Sequence, residues 1–292
     1  MAQDQNTKRR TFCFIFDINN EQLLKGHGLI TYGMAKFKKF DSITATYDNA
    51  YYPNLKYVPG VRLEFIPKIT GDFKKDAERF KKYIKYDAAW IPNPVNPDEV
   101  APMRKFKDRS NIIFTSARLG TKQKATEILL SSFVKIADQI PNWKLKLAGG
   151  FSENVNIADD FYKAHPELQE RVIFTGQVSD RASLIEMYRD AKIFAFPSRW
   201  EGSPLALNEA MSQGCFPVVS EIKPHRMLTD NFKYAFHHEV DDVDKLAECL
   251  LNACMNENKI EAIAHDGMNF INNMCSLERC CNTIYKGLYN EI

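Results

Sequence analysis

Two glutamates with seven residues between them, Glu201 and Glu209, carry the most legible chemistry of this chain. They lie in FPSRWEGSPLALNEAMSQGCFPVVS, residues 196–220, which reads as strand, loop, helix, glycine stop and strand. A carboxylate can accept hydrogen bonds from two vicinal hydroxyls, as ribose presents. Ser203 suits an N-cap, Pro204 the first helical position and Gly214 the residue just past the helix end. A helix starting there aims free N–H groups and its positive dipole end at the loop, which suits a diphosphate. Gly202, without a side chain, lets backbone approach a sugar or phosphate closely. Taken singly, a loop glutamate and a solvated helix glutamate are the plainer readings.

A second constellation lies upstream in SARLGTKQKATEILLSSF, residues 116–133. Arg118 and Lys124 would place two cations on the loop between a strand and a helix. Alone, they read as solvated loop residues. The pair Asp242 and Asp244 precedes a predicted helix and reads as a cap, so no metal site is assigned.

These loops need strands and helices to hold them. Strands are expected at 111–116, 144–150, 171–176, 193–198 and 216–220, with helices at 126–140, 157–164, 183–191, 204–213 and 244–255. Such alternation implies a parallel sheet covered on both faces, Rossmann-like in its right-handed crossovers. Ligands of such sheets bind beyond the carboxyl ends of the strands. The first part repeats the grammar more sparsely, with strands at 11–17, 41–47 and 61–67 and helices within 22–39 and 74–86. WIPNPVNPDEVAPM, residues 90–103, carries four prolines and reads as a linker.

Composition sets the broad class. The chain has 292 residues, 45% hydrophobic and 26% charged, enough for about two domains. No run is long and apolar enough for a membrane span, and Phe12 to Phe16 is too short for a secretion signal. Seven cysteines without C-x-x-C spacing argue against a disulfide framework and for a reducing cytosol. The adjacent Cys280 and Cys281 are expected as two separate small buried side chains. Net charge is +2, but residues 1–110 hold 20 Lys/Arg against 13 Asp/Glu and the remainder 19 against 24. A basic first lobe beside an acidic second suits an anionic partner, although on charge alone a solvated lysine-rich surface is the plainer reading.

The string at 196–220 closely resembles the signature of the family-four retaining glycosyltransferases. Pro197, Ser198, Glu201, Gly202, Leu205, Glu209, Ala210, Met211, Gly214, Pro217, Val218 and Val219 match in order. Ser203-Pro204 stands where that family usually has Phe-Gly. Residues 116–133 resemble its strand-end G-R-L and following Lys, with Ala117 in place of Gly. Residues 171–198 resemble its run of strand, T-G, helix and A-x-x-F-x-x-P-S. The resemblance covers about 105–292 well. It is weak in the first lobe, where KGHGLITYGMAKF (25–37) matches a glycine loop.

The resemblance implies a GT-B fold, two Rossmann-like lobes facing a cleft, from which this sequence departs in an N-terminal lobe that is unusually short or incomplete. It implies lobes at 1–89 and 104–275, the linker at 90–103 and a closing helix at 276–292 returning to the first lobe. The expected donor is a UDP- or GDP-linked sugar, with no further cofactor and no metal. Glu201, Arg118 and Lys124 would be catalytic. Glu209 would hold ribose, Gly202, Ser203, Pro204 and Leu205 the donor, Gly176, Gln177 and Val178 the nucleobase, and Gly26 and Gly28 the donor phosphates. The acceptor would be a glycan or lipid-linked. Nucleic acid is not expected as a partner.

A cytoplasmic protein is expected, with peripheral membrane contact through Lys36–Phe40 and the basic, aromatic stretch 73–85. Burial of those aromatics against the sheet fits the same spacing. A nucleotide-sugar-binding module without transfer, or another GT-B enzyme such as a sugar-nucleotide epimerase, remain the competing functions.

Overall fold

The computed structural model describes residues 11–15, 42–46, 61–64, 92–151 and 157–288. By packing, the chain divides into two units, Met1–Pro97 with Cys275–Ile292, and Asp98–Met274. The first unit contains β1 (Thr11–Ile15), β2 (Ser42–Thr46) and β3 (Val61–Glu64), a parallel sheet in the order β1-β2-β3. The expected helices at 22–39 and 74–86 lie outside the described residues.

In the second unit strands and helices alternate as expected: β4 (Ser110–Ser116), α1 (Thr126–Ile136), β5 (Lys144–Ala148), α2 (Ile157–Ala164), β6 (Val172–Gly176), α3 (Arg181–Asp190) and β7 (Ala191–Phe196). There follow α4 (Leu205–Ser212), β8 (Phe216–Ser220), α5 (Lys223–Leu228), β9 (Phe236–His238), α6 (Val243–Met255) and α7 (Glu257–Met274). The six strands are all parallel, in the order β6-β5-β4-β7-β8-β9. That is the doubly wound dinucleotide-fold order, and it reverses direction between β4 and β7. A crevice therefore opens beyond Ser116 and Phe196, the carboxyl ends of those two strands.

The centre of the sheet is apolar on both faces because helices cover both. Every residue of β7 and of β8 is buried, as their near-continuous hydrophobic sequences require. Phe114, Tyr188 and Phe194 pack ring against ring under α3, with centroids 5.1–6.3 Å apart. Leu129, Leu130 and Phe133 of α1 and Leu246 and Leu250 of α6 belong to the same buried cluster. Gly214 ends the turn after α4 with φ +76°, and a Cβ there would meet Met103 at 2.7 Å and Arg109 at 2.8 Å. Asp242 caps α6 by accepting from the Lys245 amide at 2.8 Å, and Asp244 pairs with Lys135.

Two details differ from the sequence reading. The helix after the Glu201 loop begins at Leu205 with Pro204 as its N-cap, one residue later than expected, so Ser203 is not the cap. The Pro204 carbonyl, accepting from Leu207 and Asn208, starts the helical ladder. The short α5 and β9 were not anticipated. Asp230, Asn231 and Phe232 between them adopt left-handed φ of 52–64°, a turn that leaves no hydrophobic period to read.

The chain closes with α8 (Leu277–Leu288), which belongs to the first unit together with the segment around Val95. Val95 donates to Cys275 O at 2.9 Å and bridges Ser276. Cys280 and Cys281 are separately buried as expected, the former against Pro92 O.

Candidate functional site

Three expected residues, Arg118, Lys124 and Glu201, gather at the crevice where the strand order reverses. Beyond β4, the loop is laced to its neighbour. Ala117 N donates to Ala148 O, and Leu119 N to Gly150 O. The crossing is so close that a Cβ on Gly149 (φ +140°) would lie 1.7 Å from Ala117 O, so only glycine fits. The loop then turns through Ala125, a left-handed residue with φ 50°, and α1 starts at once. A non-glycine in that conformation costs on the order of 1 kcal/mol and is held by its surroundings. Lys124, its predecessor, is thereby committed to the crevice side of the helix start.

Lys124 Nζ lies 2.5 Å from Glu201 Oε1, with side chains 14% and 7% exposed. The ammonium also sits 4.7 Å above the Phe196 ring. Gln123 ties the loops together: its amide nitrogen donates to Trp200 O at 3.0 Å and reaches Glu201 Oε2 at 3.4 Å. Its amide oxygen accepts from Arg118 Nη2 at 3.3 Å. Arg199 fastens the same two loops from behind. Its backbone N–H donates to Gln123 O, and its guanidinium binds Lys122 O, Glu127 and Asp241 at 2.6–2.7 Å. Neither Gln123 nor Arg199 was singled out from sequence, since a lone glutamine and a lone arginine carry no spacing signal.

The remaining residues expected at the donor fall on the same edge of the sheet. Gly202 is exposed and an added Cβ would meet nothing within 4 Å, so the fold alone does not demand glycine there. Pro204 is buried, while Ser203 and Leu205 are partly buried at the start of α4. Gly176, the last residue of β6 (φ +69°), leads through Gln177 and Val178 to the Asp180 cap of α3. Gln177 Oε1 accepts from Gly150 N at 3.1 Å. Gly26 and Gly28 lie outside the described residues.

Glu209 is set differently from Glu201. It is buried inside α4, 8% exposed at the side chain, and binds Arg181 through Oε1 at 2.7 Å and the Tyr188 hydroxyl through Oε2 at 3.2 Å. Arg181 in turn holds Glu99 with two bonds of 2.8 and 2.5 Å. Burial pushes the Glu209 carboxyl up from its ordinary value, against the pull of Arg181 downward. Each carboxylate oxygen has two lone pairs, so these contacts leave acceptor capacity for a hydroxyl.

Behind Phe196 lies His225, fully buried, its ring 5.5 Å from that phenyl ring. Its Nδ1 lies 3.0 Å from Ser220 O, and burial holds its pKa down to about 3. It is a neutral part of the floor.

This doubly wound lobe, with cations and a carboxylate at its switch point, has the architecture of one lobe of a GT-B glycosyltransferase. The chain belongs to the family described as Glycosyl transferases group 1, which it matches over residues 98–269. It is 27% identical over 172 residues to the UDP-Gal:alpha-D-GlcNAc-diphosphoundecaprenol alpha-1,3-galactosyltransferase of Escherichia coli, a match covering 55% of this chain and 43% of that protein. It is 25% identical over 184 residues to an uncharacterised glycosyltransferase of Haemophilus influenzae, covering 61% and 50%. The chain thus spans half or less of the length of these relatives. Among solved structures it resembles Anabaena Alr3699/HepE in complex with UDP and glucose, with TM-score 0.63, 13% identity, and coverage of 96% of this chain and 99% of that one. Among the described residues no helix is long and apolar enough to cross a membrane.

Proposed function

We propose that this chain is a retaining glycosyltransferase moving a sugar from a UDP- or GDP-linked donor to a glycan or lipid-linked acceptor, without a metal. The observation that carries the reading is the meeting of Lys124 and Glu201, with Arg118 one glutamine away, at the topological switch point. The acceptor oxygen attacks the anomeric carbon from the face the diphosphate leaves. As the carbon–oxygen bond breaks, the acceptor proton passes to the departing β-phosphate. Arg118, Lys124 and the start of α4 stabilise that growing charge. Glu201 holds sugar hydroxyls and Glu209 the ribose, while the Gly176–Val178 turn lies at the nucleobase.

Support for the donor class comes from the relatives, one named for a UDP-Gal substrate and one bound to UDP and glucose. The former also names a diphosphoundecaprenol acceptor, which supports a lipid-linked one. The buried cysteines among the described residues, with Cys215, Cys249, Cys254, Cys275 and Cys280 outside any disulfide, suit a reducing compartment. We place the protein on the cytoplasmic side, touching anionic membrane through the lysine- and aromatic-rich segments of residues 36–40 and 73–85, which lie outside the described residues. Co-sedimentation with anionic vesicles at low salt checks that contact, and its absence removes it from the proposal.

The central test incubates the purified chain with UDP-glucose, UDP-galactose, UDP-GlcNAc and GDP-mannose, with and without EDTA. Release of nucleoside diphosphate unaffected by EDTA, with an α-configured sugar product by NMR, is expected. A β-configured product overturns retention. Donor binding without any release leaves a nucleotide-sugar-binding module instead.

A further inference from the structure

We propose that Arg181 is a positioning residue for nucleotide recognition, holding Glu209 ionised and aimed so that it can accept from the two ribose hydroxyls. This rests on the ribose role given to Glu209 above. The geometry that carries it is a triad drawn from three separate elements. Glu99 comes from the short turn Pro97–Glu99, Arg181 opens α3 immediately after the nucleobase turn, and Glu209 lies within α4. One guanidinium spans both carboxylates, with Nη2 reaching Glu99 at 2.5 Å and Glu209 at 2.7 Å. Arg181 is therefore clamped from the Glu99 side by a bidentate pair through Nε and Nη2, the strong and directional form of this contact, and the same Nη2 is held against Glu209.

The physical need is specific. A carboxylate this deeply buried disfavours its charge, and only the charged form presents two full acceptor oxygens. The charged and titratable groups facing Glu209 are Arg181 and Tyr188 from α3 and Glu99 from the turn. Of these, Tyr188 is neutral, its hydroxyl pushed well above its ordinary value by burial, and Glu99 repels. Arg181 is the one cation in the set. Burial alone would lower its guanidinium, but the two carboxylates together outweigh that and raise it, so it stays protonated throughout. Removing it leaves Glu209 with burial and Glu99 both favouring the neutral acid. Nucleotide affinity then becomes pH-dependent, low where Glu209 is protonated and recovering as pH rises.

Calorimetric titration with UDP-glucose, or GDP-mannose where the chain prefers it, between about pH 5.5 and 8.5 tests this, because these diphosphate diesters do not themselves titrate in that range. The wild type should be flat. Arg181→Ala should bind at least about tenfold more weakly at the acid end and regain affinity toward the alkaline end. Arg181→Lys, which keeps the charge, should restore a flat profile. The Arg181→Ala, Glu209→Gln double variant should lose the pH dependence and bind no more weakly than Glu209→Gln. If Arg181→Ala fails to fold, Arg181→Gln keeps a donor without the charge and carries the same expectation. A pH-independent loss in the uncharged variants, not rescued by lysine, overturns the positioning role and leaves a structural one. A Glu209→Gln variant with wild-type affinity instead overturns the ribose reading itself.

Discussion

Lys124 and Glu201 are each other's counterions, Nζ to Oε1 at 2.5 Å, although the proposed reaction gives one to the phosphates and the other to the sugar. Nucleoside diphosphate and sugar must therefore be bound by groups that already neutralise one another. A donor carrying both parts satisfies both groups at once, whereas a bare nucleoside diphosphate competes with Glu201 for the ammonium. Glu201→Gln should accordingly leave UDP affinity unchanged or raised, while transfer falls by about a hundredfold through lost sugar contacts. Titration of UDP beside steady-state kinetics measures both, and a parallel fall in the two contradicts this division of labour.

Arg118 and Lys124, the two cations proposed to meet the diphosphate, should separate by stability. Arg118 is exposed and its contact with Gln123 is long, at 3.3 Å, so Arg118→Ala should melt within a degree or two of the wild type. Lys124→Ala leaves the nearly buried Glu201 carboxylate without its partner, which should cost on the order of 1–3 kcal/mol. Both should depress kcat more than donor affinity, because the charge they meet grows as the bond breaks. Thermal melts with kinetics check this. A rise in KM with kcat untouched would mean ground-state binding only.

Glycine substitutions should divide the fold from the site. At Gly149 the Ala117 carbonyl stands where a Cβ would go, so Gly149→Ala should lose about 2 kcal/mol or more. At Gly202 nothing lies within 4 Å, so Gly202→Ala should alter stability by less than about 0.5 kcal/mol yet weaken donor binding, since the open space is where ligand backbone contacts are expected. Denaturant melts and calorimetry decide. Unchanged donor affinity in Gly202→Ala would remove this glycine from the site.

Sequence periodicity located β4 to β8 and their helices because the covered strands are continuously apolar and the helices amphipathic. The loop residues were found through the resemblance of residues 196–220 and 116–133 to the family signature, not through any one spacing. What stayed hidden depends on contacts between distant segments. Arg181 and Glu99 are 82 positions apart and Gln123 and Glu201 78 apart, so no local pattern announces them. The three-residue β9 and six-residue α5 are shorter than any period they could display.

The buried His225 makes the lobe sensitive to acid in a predictable direction. Its ordinary value is 6.5, and the fold holds it near 3, chiefly through burial. Between those values the unfolded chain binds a proton that the folded chain refuses, so stability is present above about pH 6.5 and is lost as pH falls. The slope from one such group approaches 1.4 kcal/mol per pH unit, about the value of one proton. His238, also lowered by burial, adds in the same sense. Glu209, whose pKa is raised, acts oppositely by favouring the fold as it protonates, so the comparison must be between variants rather than on the wild type alone. His225→Gln, which can still donate to Ser220 O, removes the titration and should flatten the acid limb. Urea midpoints from about pH 7 down to 4 measure it, and identical slopes for wild type and variant would show that His225 is not held neutral in the folded lobe.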